Sequence, residues 1–181
     1  VFREPQRWLP VHIPDGGAAL RLGIVSRNYP HKNLACLAEL KAALMQRHGL
    51  DVSIYVTFNN AEWAACSEAF RQAIHNVGPL SLPQCPSFYA AMQGVVFPSL
   101  CESFSSSPLE AMLMRKPLFA SDLPFIHDCC HEHAHYFDPL DVDSMADVIA
   151  GYFVSDDAAG QDQALACAHD FVGRYPSPDE R

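Results

Sequence analysis

Apolar residues in this chain form short continuous runs that are separated by longer stretches with helical spacing. The runs are rich in valine, isoleucine, leucine and phenylalanine and are bounded by glycine, proline, asparagine or serine. Short apolar runs with such boundaries are typical of strands that are buried on both faces of a parallel sheet. We predict six strands, at residues 22–26, 52–57, 76–80, 95–97, 118–120 and 134–137.

Helical patterns fill the intervals between these runs. Each begins near a serine, asparagine, aspartate or proline, which favour the start of a helix. We predict helices at residues 32–48, 60–75, 87–92, 124–130, 143–154 and 158–172, and one more that Ser107 opens. Strands that alternate with helices in this way predict an α/β fold, in which helices cover both faces of a mostly parallel sheet.

The length and composition are those of a single folded domain. The chain has 181 residues, of which 49% are hydrophobic and 18% are charged, and these values are ordinary for a globular protein. Residues 1–20 contain three prolines and a Gly-Gly pair, so we expect an extended lead-in or interdomain linker there. We expect the domain itself at residues 21–176 and a tail at residues 177–181.

The charge excludes some classes of partner. The net charge is −9 at pH 7, so we expect no nucleic-acid binding and no general surface for anionic membranes. Any phosphate site has to be local. No apolar run reaches the length of a membrane span. The chain begins with Val1 rather than methionine, and we interpret it as a fragment.

The cysteines favour a reducing compartment. They are odd in number, show no repeating spacing and lie mostly within apolar patterns, so we interpret them as reduced core residues of a cytoplasmic protein. The seven are Cys36, Cys66, Cys85, Cys101, Cys129, Cys130 and Cys167.

The stretch at residues 94–121 carries the most chemistry. It predicts a strand, a loop of proline and serine residues, a helix and a second strand. Glu102 follows the first strand, and Glu110 lies in the first turn of the helix. The carboxyl ends of parallel strands and the amino ends of helices form the ligand-binding edge of such sheets. We therefore expect an anionic ligand at this loop.

The same residues also have simpler interpretations. Ser107-x-x-Glu110 has the spacing of a capping box, which would stabilise the helix start without any ligand. Glu102 in a polar loop can be a solvated carboxylate. Arg27 and Lys32, near the start of the first helix, can extend into water, or they can serve an anion that offsets their unfavourable position there.

Several motifs, in the right order, resemble the retaining family-4 (group 1) glycosyltransferases with the GT-B fold. The segment PSLCESFSSSPLEAM, with Glu102 and Glu110, resembles the Glu-x7-Glu signature of that family. Residues 26–33 resemble the family's Arg/Lys segment after the first strand of its nucleotide-sugar domain, and residues 121–149 resemble the stretch after the signature. The resemblance covers about residues 22–175. It implies a Rossmann-like domain that is one half, the C-terminal half, of a GT-B fold.

The resemblance implies a role for each matching residue. The donor would be a UDP-, GDP- or ADP-sugar, and no metal or other cofactor would be needed because Arg27 and Lys32 would pair with the diphosphate. Glu102 would accept hydrogen bonds from the donor sugar and stabilise positive charge on its ring, and Glu110 would accept from the ribose hydroxyls. The other candidates are Leu80, in the loop near the base, and the residues whose backbone N–H groups would face the phosphates, Ser103, Phe104, Ser105 and Ser106.

The chain also departs from the family's commonest pattern. Ser103, Ser105 and Arg115 stand where the family mostly has glycine, and serine restricts close approach and positive φ. One alternative is therefore a non-catalytic nucleotide-sugar-binding or interaction module of the same fold. Another is a GT-B sugar-nucleotide epimerase, for which we identify no acid or base.

A GT-B enzyme has two domains, with the reaction in the cleft between them. The resemblance covers only the donor-binding domain, so it implies a missing N-terminal acceptor-binding domain as partner, and membrane contact only through that domain. We expect the present chain to bind a nucleotide but to catalyse no transfer alone.

Two clusters imitate metal sites. Adjacent residues point in different directions on a helix or strand, so we expect no metal at the cluster of residues 127–135. Asp141-Val142-Asp143 imitates the metal-binding Asp-x-Asp of the other large glycosyltransferase fold, but it precedes a helical pattern and is predicted to cap that helix. The cluster consists of His127, Asp128, Cys129, Cys130, His131, Glu132, His133 and His135.

Overall fold

A computed structural model describes residues 1–174, which contain a six-stranded sheet with the order β3-β2-β1-β4-β5-β6. Every neighbouring pair of strands is parallel. This is the doubly wound order of Rossmann-like domains, and the predicted fold class is confirmed. The strands are β1 (Leu20–Ile24), β2 (Val52–Val56), β3 (His75–Asn76), β4 (Gly94–Phe97), β5 (Leu118–Ser121) and β6 (His135–Phe137).

Helices cover both faces of the sheet, as the alternation predicted. One face packs against α1, α3 and α7, and the other packs against α4, α5, α6 and α8, so each face has its own apolar core. The helices are α1 (Leu37–His48), α2 (Asn60–Ala65), α3 (Glu68–Ala73), α4 (Cys85–Ala90), α5 (Ser107–Leu113), α6 (Pro124–Cys130), α7 (Val142–Phe153) and α8 (Ala158–Gly173).

The first predicted helix, at residues 32–48, begins five residues late. Two 3-10 turns, Pro30–Lys32 and Leu34–Cys36, precede α1, and Asn33 between them adopts a left-handed φ of 55°. Asparagine tolerates this conformation, and the Asn33 side chain donates to the carbonyl of Pro139 at 2.8 Å, in the loop after β6. Lys32 therefore lies outside the first turn of α1, and its expected conflict with the dipole of that helix does not arise.

The second predicted helix, at residues 60–75, is two helices. The backbone is extended at Cys66 and Ser67, and the Ser67 hydroxyl accepts from the amide of Phe70 to start α3. The cap of α2 is Asn59 rather than the predicted Asn60. Asparagine and serine side chains compete with the helix for backbone hydrogen bonds, so they start helices more readily than they continue them.

The predicted strand at residues 76–80 is short. The structure has only His75–Asn76 as β3, and the Val77 amide adds one bond to Val56 at 2.9 Å. Gly78 then turns the chain at a φ of 88°, and proline follows it, so pairing stops there. The predicted capping role of Asp141 is confirmed, since its side chain accepts from two amides at the start of α7.

Residues 1–19 lie against the domain. Arg3 donates to the carbonyl of Gly173 at 2.9 Å, at the end of α8. The Leu9 amide donates to the carbonyl of Pro83 at 2.9 Å, and the Phe2 ring lies 6.1 Å from that of Tyr89. The predicted end of the domain at residue 176 and the predicted tail at 177–181 lie outside the described residues.

The cysteines are less buried than predicted. All seven are free thiols, but only Cys85 and Cys130 are buried, and Cys101 and Cys167 are exposed. Cys101 lies in the polar loop after β4, and Cys167 lies on the outer face of α8, so helical spacing did not guarantee burial.

Candidate functional site

The order of the strands reverses between β1 and β4. The loops that follow these two strands are joined by hydrogen bonds. The Leu100 amide donates to the carbonyl of His31 at 2.7 Å, and the Ser107 hydroxyl donates to the carbonyl of Val25 at 2.9 Å. Open α/β sheets bind ligands in the crevice at such a reversal, and these two loops contain most of the predicted site residues.

Lys32 and Glu102 form an ion pair at this edge. The ammonium nitrogen donates to Oε1 at 2.5 Å, and the two side chains are only 14% and 9% exposed. The same nitrogen lies 5.5 Å from the ring centroid of Phe97, the last residue of β4. Either partner alone would be a poorly solvated charge, so each neutralises the other. A cation and a carboxylate thus occupy the same point of the edge.

Arg27 follows β1 but pairs with a different carboxylate. Its Nε donates to Glu62 of α2 at 2.7 Å, and its side chain is 54% exposed. The hydrogen bond and the charge of Glu62 raise the pKa of Arg27. Within residues 1–174, Arg27 makes no hydrogen bond to Glu102 or Glu110, and its two terminal nitrogens donate to no other group.

Glu110 is held by a residue that the sequence did not single out. Its Oε2 accepts from the hydroxyl of Tyr89 at 2.9 Å. The capping-box interpretation is wrong, because α5 starts one residue earlier than predicted and its N-cap, Ser106, makes no side-chain capping bond. Ser107, which would have been the cap, instead donates to the carbonyl of Val25.

A cavity of about 320 Å³ lies on the α6 side of the same loop. Half of its lining residues are aromatic or aliphatic, two are carboxylates and two are serines, and none of the lining residues is cationic. The lining residues are Phe97, Glu102, Ser103, Phe104, Ser105, Leu109, Phe125, Ile126, Asp128 and Cys129. Such a mixture of apolar walls and a few polar groups is typical of small-molecule sites.

Comparison with known families assigns the chain. Residues 19–153, more than half of the chain, match the family described as Glycosyl transferases group 1. The chain belongs to the group 1 glycosyl transferases.

Individual relatives of this group 1 glycosyl transferase are distant. The O-antigen chain mannosyltransferase RfbU of Salmonella typhimurium is 22% identical over 153 residues, which cover 81% of this chain and 42% of RfbU. A mutant of S. aureus TarM, in complex with fondaparinux, alpha-GlcNAc-glycerol and UDP, has a TM-score of 0.69 at 17% identity, over 93% of this chain and 36% of TarM.

An E. coli structure described as trehalose-6-phosphate bound with UDP-2-fluoro glucose has a TM-score of 0.68 at 10% identity, over 95% of this chain and 42% of its own. The shared fold is the Rossmann-like half of the GT-B fold. The chain spans less than half the length of the relatives it matches.

The remaining predicted residues of this glycosyl transferase surround the edge. Leu80 is half-buried and packs in the same apolar cluster as Tyr89. Ser106 is exposed, and its carbonyl accepts from the amide of Glu110 at 2.9 Å. Phe104 is 72% exposed.

The serines that replace the family's glycines do not have glycine-like backbones. Within residues 1–174 the non-glycine residues with positive φ are Asn33, Arg115 and His131, so Ser103 and Ser105 are not among them. Arg115 does adopt a left-handed φ of 51°, where the resemblance places a glycine.

Sequence reasoning missed several residues at this site. Tyr89 was hidden in a short apolar helix, and its hydroxyl was the available signal. Phe125 and Ile126 lie in the helix predicted at residues 124–130, and the pattern of that helix did not single them out. Asp128 and Cys129 were noticed only as part of a crowded cluster, and the structure shows that both line the cavity.

The side chains of the crowded cluster at residues 127–135 contact separate partners. Among residues 1–174 no three His, Cys, Asp or Glu side chains are placed to share a metal ion. His127 stacks on Tyr136 at 3.9 Å and contacts Asp122 at 2.6 Å. His133 packs at 4.8 Å from the ring of Phe171.

None of the helices described within residues 1–174 is both long and apolar enough to cross a membrane.

Proposed function

We propose that this chain binds a nucleoside-diphosphate sugar at the edge between β1 and β4. We further propose that, with an N-terminal acceptor-binding domain, it transfers the sugar to an acceptor with retention of anomeric configuration. The observation that carries the proposal is the Lys32–Glu102 ion pair beside the cavity. A diphosphate needs a cation and a sugar needs acceptors for its hydroxyls, and this pair supplies both at adjoining positions.

The diphosphate would lie on the Lys32 side of the pair. An ammonium group has three N–H donors, and Lys32 gives one of them to Glu102. The terminal nitrogens of Arg27 can also donate to the diphosphate, so that a second positively charged group contacts it. The amides of residues 103–106 donate to no group within residues 1–174, so they can face phosphate oxygens.

The sugar would lie on the Glu102 side, in the cavity. Its hydroxyls can donate to Glu102, and its apolar C–H face can pack against Phe97 or Phe125, which line the cavity. As the sugar–phosphate bond breaks, its electron pair goes to the departing diphosphate and positive charge develops on the ring. Lys32 would stabilise the negative charge on the diphosphate, and Glu102 would stabilise the positive charge on the ring. Both groups are already oriented before the bond breaks.

The nucleoside would lie toward α4. Glu110 faces that helix through its bond to Tyr89, and Leu80 belongs to the same apolar cluster. A carboxylate that accepts from both ribose hydroxyls fixes the nucleoside by charge-assisted hydrogen bonds. The base contact at Leu80 would be apolar and made partly by the backbone, which leaves uridine, guanosine and adenosine as candidates.

We expect no requirement for a metal or another cofactor. Lys32 and Arg27 each keep N–H donors beyond those given to Glu102 and Glu62, and such charge-assisted donors can hold a diphosphate where other sites use a divalent cation. Adding EDTA should therefore leave both binding and transfer unchanged.

One observation favours a second candidate, a non-catalytic nucleotide-sugar-binding or interaction module. Ser103 and Ser105 both line the cavity, and their side chains fill space that glycine would leave to the sugar. In that case the chain would bind a free nucleoside diphosphate as tightly as it binds the corresponding nucleotide sugar. The longer protein would neither hydrolyse nor transfer the sugar.

Calorimetric titration of the chain with UDP, GDP and ADP tests the binding step. We expect one of the three to bind with 1:1 stoichiometry, and binding of none would overturn the proposal. The transfer step needs the longer protein, with NMR to show that product and donor share the same anomeric configuration. Turnover of a nucleotide sugar by these 181 residues alone would contradict the expectation that the isolated domain is silent.

A further inference from the structure

Tyr89 is a fully buried tyrosine whose hydroxyl meets a proposed ligand-binding carboxylate. It lies on α4, has no exposed surface, and donates to Oε2 of Glu110 at 2.9 Å. The two residues are 21 positions apart, on the helices that precede and follow β4. This bond therefore joins two separate elements on one face of the sheet.

The surroundings of Tyr89 do not require a hydroxyl group. Its ring packs near Phe2 at 6.1 Å and Phe88 at 5.9 Å, and Met92 is also buried in this cluster. A phenylalanine would fill the same volume in this apolar cluster, and the polar neighbours of the hydroxyl are Glu110, to which it donates, and Ser107. The hydroxyl is thus explained by the group it donates to, which is Glu110.

The protonation state of Tyr89 suits a fixed donor. Burial, and after it the charge of Glu110, holds the pKa of Tyr89 well above its usual range. The phenol therefore stays protonated at neutral pH and donates to the carboxylate. Within residues 1–174 the second oxygen of Glu110, Oε1, accepts from no other group.

Within residues 1–174 no other hydrogen bond of the Glu110 side chain competes for this role. The Ser107 hydroxyl, which sequence spacing suggested as a partner for the start of the helix, donates to Val25 instead. Glu110 also makes no ion pair with a lysine, arginine or histidine of residues 1–174. The orientation of the Glu110 carboxylate is therefore set by Tyr89.

We propose that Tyr89 is a positioning residue that orients Glu110 to read the two hydroxyl groups of a ribose. This inference rests on the proposed function. A carboxylate held at Oε2 keeps its plane fixed, so Oε1 and the remaining lone pair of Oε2 can accept from a vicinal diol. Without Tyr89 the carboxylate rotates, and binding has to order it first.

The test compares ribose and dideoxyribose nucleotides. The ligand is whichever of UDP, GDP and ADP binds best, together with its 2′,3′-dideoxy form, and both dissociation constants are measured by calorimetry. In the unaltered chain we expect the ribonucleotide to bind more tightly. In Tyr89→Phe we expect its affinity to fall about three- to tenfold, as for one lost hydrogen bond, with the dideoxy affinity unchanged.

A matched control is available elsewhere in the core. Tyr55 is also fully buried, and its hydroxyl donates to the carbonyl of Pro14 at 3.1 Å. Tyr55→Phe removes one buried tyrosine hydrogen bond without touching Glu110, so the ratio of the two affinities should not change. An equal fall of both affinities in Tyr89→Phe, or the same change in Tyr55→Phe, would overturn the positioning role.

Glu110 tests the same bond from its other side. Glu110→Asp keeps the carboxylate but withdraws it from Tyr89. We therefore expect the same fall in the ratio of ribonucleotide to dideoxynucleotide affinity, and this variant can be measured even if Tyr89→Phe does not fold. A ratio that stays at its original value would overturn the inference. If the unaltered chain binds neither nucleotide, the proposed function fails and this inference with it. If the unaltered chain binds the ribonucleotide more tightly than its dideoxy form, and Tyr89→Phe does so to the same extent, only this inference fails.

Discussion

Lys32 and Glu102 are 70 residues apart in the sequence and are in contact at 2.5 Å in the folded chain. They meet because β1 and β4 are neighbours in the sheet, so that the loops after both strands leave at the same edge. The pair is nearly buried at 14% and 9% exposure. Its integrity therefore matters to the stability of the domain and, in the proposed function, to ligand binding.

Lys32→Ala should weaken binding of a nucleoside diphosphate by about 1 to 3 kcal/mol, because a charge-assisted hydrogen bond to phosphate is lost. The same change leaves Glu102 as an unpaired, poorly solvated carboxylate, so the free energy of unfolding should also fall by about 1 to 3 kcal/mol. Calorimetry measures the first effect and urea denaturation the second.

Two further variants separate these effects. Adding Glu102→Gln to Lys32→Ala removes the unpaired charge, so stability should return while nucleotide affinity stays low. Lys116→Ala is the matched control, since Lys116 donates to the carbonyl of Ala90 at 3.2 Å and lies outside the site. Nucleotide affinity that is the same in Lys32→Ala and in the unaltered chain would contradict the proposed site.

The cavity should select against negatively charged sugars. Glu102 and Asp128 both line it and no cation does, so a sugar carboxylate would face like charges and would lose its solvation there. If uridine is the base, UDP-glucose should bind at least about tenfold more tightly than UDP-glucuronate, which corresponds to about 1.4 kcal/mol. Competition calorimetry at moderate salt measures the difference.

Asp128→Asn should reduce the difference in affinity between UDP-glucose and UDP-glucuronate, because it removes one of the two carboxylates that line the cavity. The control is Asp122→Asn, because Asp122 is an exposed carboxylate that contacts His127 and is not part of the cavity lining. Equal affinity for the two donors in the unaltered chain would mean that the sugar does not enter this cavity.

Arg115→Gly should stabilise the domain. α5 ends in a Schellman motif, in which Lys116 donates to Ala111 at 2.9 Å and Arg115 donates to Met112 at 3.0 Å, and this places Arg115 at the position that favours glycine. A left-handed φ costs a non-glycine residue about 1 to 2 kcal/mol in the folded chain, and glycine avoids this cost. Glycine also makes the unfolded chain more flexible, which lowers the gain in stability by about 0.4 to 1 kcal/mol.

We therefore expect Arg115→Gly to exceed Arg115→Ala in unfolding free energy by about 0.5 to 1 kcal/mol. The alanine variant removes the same side chain but keeps the strained backbone, so the comparison isolates the conformational effect. Urea denaturation of both variants checks it, and greater stability of the alanine variant would contradict the assignment of strain.

Acidification should destabilise the domain through histidine. His135 on β6 lies 4.8 Å from the ring of Tyr152 and 5.5 Å from that of Phe119, and burial lowers its pKa. The unfolded chain therefore binds a proton more readily than the folded one. This stability is fully present above the unfolded value, about 6.5, and is lost as the pH falls through it toward the lower folded pKa.

The free energy of unfolding should thus be lower at pH 5.5 than at pH 7.5. His135→Phe keeps an aromatic ring in the same surroundings and cannot be protonated, so it should reduce this pH dependence. Burial also lowers the pKa of His75, so some dependence should remain. A pH dependence that His135→Phe leaves intact would show that protonation of His135 is not its source.

Patterns that are local in the sequence were enough to predict the fold. Buried parallel strands read as short apolar runs because both of their faces are covered, and all six were located, although β3 proved shorter than predicted. The helix breaks at Asn33 and Ser67 were missed, because both residues can either continue a helix or start a new one. Only the neighbouring turns decide between these outcomes.

The sequence by itself determined the class of the fold, the family resemblance and the two loops that carry the candidate residues. Tertiary structure decided which side chains meet. It paired Lys32 with Glu102 and Arg27 with Glu62, and it gave Glu110 to Tyr89 rather than to a helix cap. Periodicity reports which residues are buried, whereas the partner of a buried charge depends on strand order and loop path. These are set by packing between segments that lie far apart in the chain.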